Sequence, residues 1–257
     1  MKAALIPPKG YYATAMQSDY HLMLAQITDR EYVDTYGNSD DYVIIDNGAA
    51  EGEMVSDSIL LRRAMQVVAD EIVVPDTMGH SDDTVARAHA FWESCTTAGF
   101  STENMKFMGV VQSQGDRAGV IQCVEAFEKM PITALGIPRH LVDKDKHARY
   151  MICSWLKSYG YDERFEVHLL GTNPKYPSEV CNIVEAHPWV RGIDSSLPYN
   201  YTIAGKQLSA LGYPYGGIKR PGGYFDTVRR MDTTLLQSNI DTFMRWASGT
   251  EGTSREV

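Results

Sequence analysis

The feature that most constrains the fold is a recurrence of short apolar runs, separated by segments with helical periodicity. The runs return at intervals of about 30 residues, the size of one strand-helix unit. The run Tyr42-Val43-Ile44-Ile45 is apolar without interruption, which is typical of a strand buried on both faces. Strands that alternate with helices favour a parallel sheet. The sequence therefore predicts an α/β protein, a single-domain TIM (β/α)8 barrel.

Seven strands of this barrel are predicted directly, and an eighth is needed to close it. The seven runs are Lys2 to Ile6, Tyr42 to Ile45, Glu71 to Pro75, Lys106 to Val111, Ile132 to Leu135, Phe165 to Leu170, and Val190 to Asp194. The candidate for the eighth strand is Tyr201 to Ala204, while the segment from Ser18 to Ile27 is predicted to be helical. The domain spans 1–257 and includes a basic loop, rich in Gly and Tyr, at about 206–230.

Composition limits the class of protein. A chain of 257 residues with 44% hydrophobic content can bury one substantial core. It has no run of 18 apolar residues and no apolar segment at its start long enough for a signal peptide, so we expect a soluble, cytoplasmic protein without membrane partners. The four cysteines are scattered singly, which argues against a structural zinc or iron–sulfur site.

Charge is distributed unevenly along the chain. The net charge of −9 argues against nucleic-acid binding through overall positive charge. From Lys206 to Arg230, however, the local net charge is +4. Such a segment can bind a phosphate backbone, and a solvated basic loop is an equal alternative. Its basic residues are Lys206, Lys219, Arg220, Arg229 and Arg230.

Polar residues and glycines follow the predicted strands, and in a closed barrel these strand ends meet at one mouth. The residues at the strand ends are Asp46, Asp76, Gln112, Gly136, Gly171 and Asp194. Three carboxylates around one mouth permit two interpretations. They are oxygen ligands for a magnesium ion, or they perform acid/base and nucleophilic chemistry without a metal.

The strand ends resemble, in order, the motifs of the tRNA-guanine transglycosylases, a family of TIM-barrel enzymes that exchange guanine for a 7-deazaguanine base. The resemblance spans about Tyr42 to Ala204. It is carried by Asp46-Asn47-Gly48-Ala49-Ala50-Glu51, Val74-Pro75-Asp76-Thr77, Gly109-Val110-Val111-Gln112-Ser113, Ala134-Leu135-Gly136-Ile137-Pro138-Arg139, Leu169-Leu170-Gly171-Thr172-Asn173 and Gly192-Ile193-Asp194. The zinc-binding cysteine segment of the tRNA enzymes has no counterpart here. The chain therefore resembles most the compact, zinc-less, phage-type enzymes that place a 7-deazaguanine in DNA.

The resemblance implies a role for each matching residue. Asp194 is the expected nucleophile, and Asp46 the expected general acid and base. Asp76 would accept hydrogen bonds from the guanine edge, with Gln112 and the backbone N–H of Gly136 on the carbonyl side. Gly48, Leu170 and Gly171 complete the implied base site. No cofactor is implied, since one glycosidic bond replaces another.

The implied partners are DNA and a free base such as 7-cyano-7-deazaguanine. The target guanine nucleotide must be flipped out or single-stranded to reach a barrel mouth. Tyr199, Tyr201, Tyr213 and Tyr215 either stack bases or pack in the core, and His168 is predicted to be a core histidine. A phage-encoded enzyme would act in the host cytoplasm.

Three alternatives stay open. They are a transglycosylase acting on tRNA, a magnesium-dependent lyase or phosphohydrolase on the same fold, and a nucleobase-binding module without catalysis.

Overall fold

The computed structural model describes residues 1–100, 105–209 and 217–250, and one sheet of parallel strands runs through them. In the described part of the chain the sheet has eight strands in the order β1-β8-β7-β6-β5-β4-β3-β2. Helices alternate with the strands, as the sequence predicts for a TIM-like barrel. The strands are β1 (Lys2–Leu5), β2 (Tyr20–Leu24), β3 (Tyr42–Asp46), β4 (Glu71–Val73), β5 (Lys106–Val110), β6 (Ala134–Pro138), β7 (Glu166–Leu170) and β8 (Gly192–Ser195).

The barrel is nearly closed, with a seam between β1 and β2. These strands lie side by side, but the described residues form no ladder between them. The buried Ser18 hydroxyl bridges the gap, because it donates to the Ala3 carbonyl (2.6 Å) and accepts the Tyr20 N–H (3.2 Å). Lys2 and Asp19 form an exposed ion pair beside it, with 3.0 Å between Nζ and Oδ2. Side chains thus replace backbone hydrogen bonds at the seam.

The helices surround the sheet, and several begin at side-chain caps. Asp29, Asp116 and Asp232 each accept a backbone N–H from the first turn of the helix that follows. The helices are α1 (Arg30–Gly37), α2 (Asp57–Val67), α3 (Ser81–Thr97), α4 (Arg117–Phe127), α5 (Leu141–Lys144), α6 (Ala148–Ser158), α7 (Glu179–Ala186), α8 (Leu197–Ile203) and α9 (Thr233–Ser248), with short 3₁₀ turns at Tyr12–Gln17 and Ala49–Glu51. Within the described ranges, none of these helices is both long and apolar enough to cross a bilayer.

The helix predicted from Ser18 to Ile27 is wrong, because this segment contains strand β2. All five residues of Tyr20–Leu24 are buried, and a short apolar run of this kind carries no periodicity that separates a helix from a strand. His21 makes the strand harder to recognise, because a polar residue interrupts the apolar run. Its Nε2 lies 3.3 Å from Asp41 Oδ2.

The eighth strand predicted at Tyr201 to Ala204 is also wrong, because this segment lies in helix α8 and the turn after it. β-Branched and aromatic residues suggested a strand. Pro198, in the first turn of α8, favours a helical start. The Thr202 hydroxyl then donates to the Pro198 carbonyl four residues earlier (2.8 Å). The strand that the prediction missed is β2, which lies at the opposite end of the sheet order from β1.

The amino-terminal end of the barrel is filled by a charged layer. Arg191 reaches Glu71 (Nη2 to Oε2, 2.6 Å) and Glu166 (Nη1 to Oε2, 2.8 Å). The rings of Tyr20 and Tyr42 stack with centroids 5.7 Å apart, and the Arg191 guanidinium lies within 5.7 Å of both centroids. Glu71 is fully buried. With this end occupied by side chains, the carboxyl-terminal ends of the strands form the mouth.

Candidate active site

Three carboxylates lie at the mouth of the barrel. Asp46 is the last residue of β3, Asp76 follows β4 by three residues, and Asp194 lies near the end of β8. The negative charges of Asp76 and Asp194 both contribute to the raised pKa of Asp46, which places each of them within electrostatic reach of Asp46. The structure thus brings together the acids that the sequence analysis singled out.

Asp46 is in an environment that favours its protonated form. Burial is the largest cause that raises the pKa of Asp46 well above its usual range, followed by the charges of Glu51, Asp76 and Asp194. A carboxyl group with a raised pKa keeps its proton to higher pH than an exposed aspartate does, which is the property of a group that delivers a proton to a leaving group.

Asp76 and Gln112, the residues predicted to recognise the base, are buried and in direct contact. Gln112 Nε2 donates to Asp76 Oδ2 (2.5 Å), and Asn47 Nδ2 donates to Asp76 Oδ1 (3.2 Å). Burial raises the pKa of Asp76, although these two amide donors act in the opposite direction. Gln112 Oε1 accepts the Gly79 N–H (2.9 Å). A base lying between Asp76 and Gln112, as predicted, would first have to break their mutual hydrogen bond.

One oxygen of the Asp194 carboxyl group lies against both a backbone N–H and a histidine ring nitrogen. Oδ1 accepts the Gly171 N–H (2.8 Å) and lies 3.2 Å from His168 Nε2. Its side chain is 13% exposed. Oδ2 accepts no hydrogen bond from any described residue, so this oxygen remains available to a ligand at the mouth.

Gly171 has the backbone conformation that this contact requires. Its φ is +71°, in the left-handed region that favours glycine. A Cβ at this position would lie 2.9 Å from Arg139 Cδ. The glycine thus allows the chain to turn after β7 and direct its N–H at Asp194.

His168 is a core histidine, as predicted, but its partners connect it to the site. It is fully buried, and Nδ1 lies 2.8 Å from the Tyr20 hydroxyl. Burial lowers the pKa of His168, and the hydrogen bond to Asp194 acts in the opposite direction. Sequence reasoning missed the contacts of His168 with Asp194 and with Tyr20. Tyr20 was assigned to a helix, and no spacing rule relates β2, β7 and β8.

Arg149 is a second residue that the sequence analysis missed. This fully buried arginine forms a bidentate pair with Glu179 (2.6 and 2.9 Å) and donates from Nη1 to the Gly171 carbonyl (2.8 Å). It thereby fixes the turn whose N–H holds Asp194. A signal was present, since Arg149 shares helical spacing with the buried Cys153 and Leu156.

The buried face of α6 carries Arg149, Cys153 and Leu156. Met151, on the same helix, and Tyr159, directly after it, are 59% and 64% exposed.

Of the remaining residues of the predicted base site, Gly48 and Gly136 are buried and closely surrounded, and Leu170 is half-buried. Gly48 has φ +84°, and a Cβ there would lie 2.6 Å from Gln26 Oε1. Gly136 lies within the sheet, paired with Val110 and His168. A Cβ on Gly136 would meet Leu170 Cδ1 at 2.6 Å, so the absent side chain makes room for the half-buried Leu170.

The predicted basic residues differ in their contacts and exposure. Arg220 lies at the mouth, where Nη2 contacts Glu51 Oε1 (2.7 Å) and the guanidinium packs on the rings of Tyr224 and Phe225. Arg229 donates to the Gly222 carbonyl (2.6 Å). Lys206, Lys219 and Arg230 are exposed.

The tyrosines considered for base stacking divide into two groups. Tyr199 and Tyr201 are fully buried in α8, so core packing, the alternative interpretation, describes them. Tyr213 and Tyr215 lie outside the described residues.

The geometry of the acids bears on the magnesium alternative. Among the described residues, no three His, Cys, Asp or Glu side chains are grouped so that they could hold a metal ion. Asp76 is engaged by Asn47 and Gln112, and Asp194 by Gly171 and His168. The arrangement suits proton transfer and nucleophilic attack at one mouth.

Comparison with known proteins leaves the family open. No protein-family model matches this sequence, and no curated protein is significantly similar to it.

Proposed function

We propose that this chain is a transglycosylase that replaces guanine in DNA with a 7-deazaguanine base through a covalent glycosyl-Asp194 intermediate. The observation that carries the proposal is the contrast between two carboxyl groups at one mouth. Asp46 is held where its pKa is raised by burial and by neighbouring acids. Asp194 has one oxygen without a hydrogen bond from the described residues, while Gly171 and His168 hold the other. A proton donor beside an oriented nucleophile is what cleavage of a glycosidic bond requires.

The first half of the reaction breaks the bond between C1′ of the sugar and N9 of guanine. Asp194 Oδ2 forms a bond to C1′, and the electron pair of the broken bond goes to the departing base. The Asp46 carboxyl gives its proton to that base, which leaves as neutral guanine. The sugar remains attached to Asp194 as an ester.

The second half reverses these roles. The Asp46 carboxylate takes the proton from the incoming 7-deazaguanine, whose N9 forms a bond to C1′. The bond between C1′ and Asp194 breaks, and Asp194 recovers its electron pair. Two displacements at one carbon retain its configuration, and no oxidant, reductant or nucleoside triphosphate is consumed.

Asp76 and Gln112 fit recognition of the base. Guanine and 7-deazaguanine share a donor edge made of N1–H and an exocyclic amine, and Asp76 supplies acceptor oxygens for it. Gln112 presents an amide donor and would turn from Asp76 to the base carbonyl when a base binds. The buried position of both residues favours discrimination, because a base without these groups displaces Gln112 from Asp76 Oδ2 and gives that oxygen no donor in return.

DNA is proposed over tRNA because the chain has no counterpart of the cysteine segment found in the tRNA enzymes that it resembles. The local charge of +4 between Lys206 and Arg230 offers a contact for the phosphate backbone on an otherwise acidic protein. The target nucleotide would enter the mouth flipped out of the duplex or from a single strand.

The test is an exchange assay with labelled 7-cyano-7-deazaguanine and guanine-containing duplex DNA, single-stranded DNA or tRNA. The expected result is label in the nucleosides of digested DNA and one free guanine released per base inserted. Label in tRNA alone would replace the proposed substrate with RNA. Absence of label from all three nucleic acids would reject the proposed function.

A further inference from the structure

We propose that His168 is a positioning residue, which holds the Asp194 carboxylate in one orientation as a neutral imidazole whose tautomer is set by Tyr20. The proposal rests on the proposed function of Asp194, and it assigns a catalytic purpose to a buried contact that the reaction itself does not use.

The hydrogen bonds define which ring nitrogen carries the proton. An ionised carboxylate only accepts hydrogen bonds, so the short contact from His168 Nε2 to Asp194 Oδ1 requires a proton on Nε2. In a neutral ring Nδ1 is then an acceptor, and the hydroxyl of Tyr20, 2.8 Å away, is its donor. Both nitrogens of this buried ring are thereby paired.

Burial is the largest influence on the pKa of His168 and favours the neutral ring, whereas the charge and the hydrogen bond of Asp194 favour the charged ring. Asp194 faces it from β8, and Tyr20 faces it from β2. The positive charges of Arg191, before β8, and Arg149, on α6, both disfavour a second positive charge here. Burial lowers the pKa of His168 and raises that of Tyr20, so the ring stays neutral and the phenol keeps the proton that it donates.

A glycine in the Gly192-Ile193-Asp194 motif makes this arrangement possible. A Cβ on Gly192 would lie 2.6 Å from Tyr20 Cε1 and 2.8 Å from its hydroxyl oxygen. The bare backbone of β8 therefore lets the Tyr20 ring reach His168 across the barrel. The glycine two residues before the nucleophile thus serves the positioning of that nucleophile.

A neutral donor suits a carboxylate that loses and regains its charge. Oδ1 is engaged by His168 and Gly171, so Oδ2 is the oxygen that faces the sugar. When Oδ2 bonds to C1′, the ester carbonyl still accepts both hydrogen bonds. An imidazolium would form an ion pair with Asp194 and would resist that loss of charge. His168 acts through Asp194, so its removal should slow the chemical steps without weakening binding of the free base.

The experiment compares wild type with His168→Gln, His168→Leu and Tyr20→Phe in the exchange assay and by ¹⁵N NMR of the histidine ring. Glutamine keeps an amide donor near the position of Nε2, whereas leucine has none. We expect His168→Leu to lower kcat on the order of 10²-fold, as misplacement of a reacting group does, with the KM for the incoming base nearly unchanged. His168→Gln should recover most of that loss, and Tyr20→Phe should lose less than His168→Leu.

The NMR readout does not depend on exchange. The wild-type spectrum should show one tautomer, with the proton on Nε2, and Tyr20→Phe should show a mixture or a charged ring. Equal kcat for His168→Leu and wild type, equal loss in the glutamine and leucine variants, or a wild-type proton on Nδ1 would overturn the proposal. Wild-type protein that shows the expected tautomer but exchanges no base would instead reject the proposed function.

Discussion

The two ends of the barrel both carry buried or half-buried charged side chains, but these side chains have different kinds of partner at each end. At the amino-terminal end, the acids Glu71 and Glu166 share Arg191, and Lys106 adds a second cation to Glu166. At the mouth, Asp46, Asp76 and Asp194 are gathered within reach of one another, and the groups that hold the last two are amides and a neutral imidazole. At the amino-terminal end the acids are paired with cations. At the mouth the acids lie close to other acids, which lowers stability.

From this difference we infer a structural role for the amino-terminal end and the proposed activity for the mouth. Ion pairs can perturb acids anywhere in a fold, but acids perturbed by burial and by one another are typical of sites that transfer protons. Substitutions at the two ends should therefore affect different quantities, namely stability at the amino-terminal end and exchange activity at the mouth.

The largest effect on activity is expected for Asp194→Asn. The amide removes the nucleophile, and kcat should fall by a factor on the order of 10⁴ or more. The Gly171 N–H still has an oxygen to bond, so the melting temperature should stay near that of wild type. The exchange assay and a thermal melt measure the two quantities. A melting temperature that falls strongly together with kcat would assign a structural role to Asp194 and would contradict the difference between the two ends.

The largest effect on stability is expected for Arg191→Leu. It leaves the fully buried Glu71 without its cation, which should lower the free energy of unfolding by about 3 to 5 kcal/mol. Lys106→Leu is the matched control, because its pair with Glu166 is exposed and is worth at most about 1 kcal/mol. Urea denaturation measures both variants. Equal losses would show that burial does not set the value of these pairs.

Asp46→Asn should separate activity from stability at the mouth. Loss of the acid should lower kcat by a factor on the order of 10² to 10⁴. The pKa of Asp46 is raised in the folded state, so the folded protein binds this proton more tightly than the unfolded chain does. Wild type should then lose stability relative to Asp46→Asn as pH rises from the usual value of 3.8 toward the raised pKa. Urea midpoints measured across this pH range test the sign, and a constant difference between the two proteins would contradict the raised pKa.

A smaller effect is expected for Gly171→Ala. The left-handed φ costs alanine about 1 kcal/mol, and the new methyl group meets the Arg139 side chain. The displaced N–H should lower kcat by about tenfold, because it is one of the two donors on Asp194 Oδ1. Gly160→Ala is a control with φ +75° and open space around its Cα, so it should show the strain cost without the loss of activity. Equal kcat values for the two variants would remove Gly171 from the site.

The fold could be predicted from the sequence because apolar runs and helical periodicity are local signals. Seven of the strands were recognisable in this way. β2 was missed because Tyr20–Leu24 is short and includes a histidine that pairs outside the barrel. β2 also lies at the seam, where among the described residues it forms a ladder with β3 and none with β1.

The site could be predicted only in part. Asp46, Asp76 and Asp194 follow strands, so their convergence follows from parallel topology. The contacts that orient Asp194 come from β7, the turn after it and, through Tyr20, from β2. Such contacts depend on side-chain direction across the barrel, which no spacing along the chain encodes. The helical spacing of Arg149 indicates that it faces inward, but its partners, which are carbonyls and Glu179 on other elements, are not encoded in that spacing.

The most direct test of the central claim is the intact mass of the protein after mixing with a guanine-containing oligodeoxynucleotide, without incoming base, followed by denaturation. We expect a covalent adduct of the protein with the oligonucleotide lacking one guanine. Proteolysis should map this adduct to the peptide that contains Asp194. We also expect the adduct to disappear in Asp194→Asn and upon addition of 7-cyano-7-deazaguanine. Base exchange that proceeds without any adduct, or an adduct on another residue, would contradict the role given to Asp194.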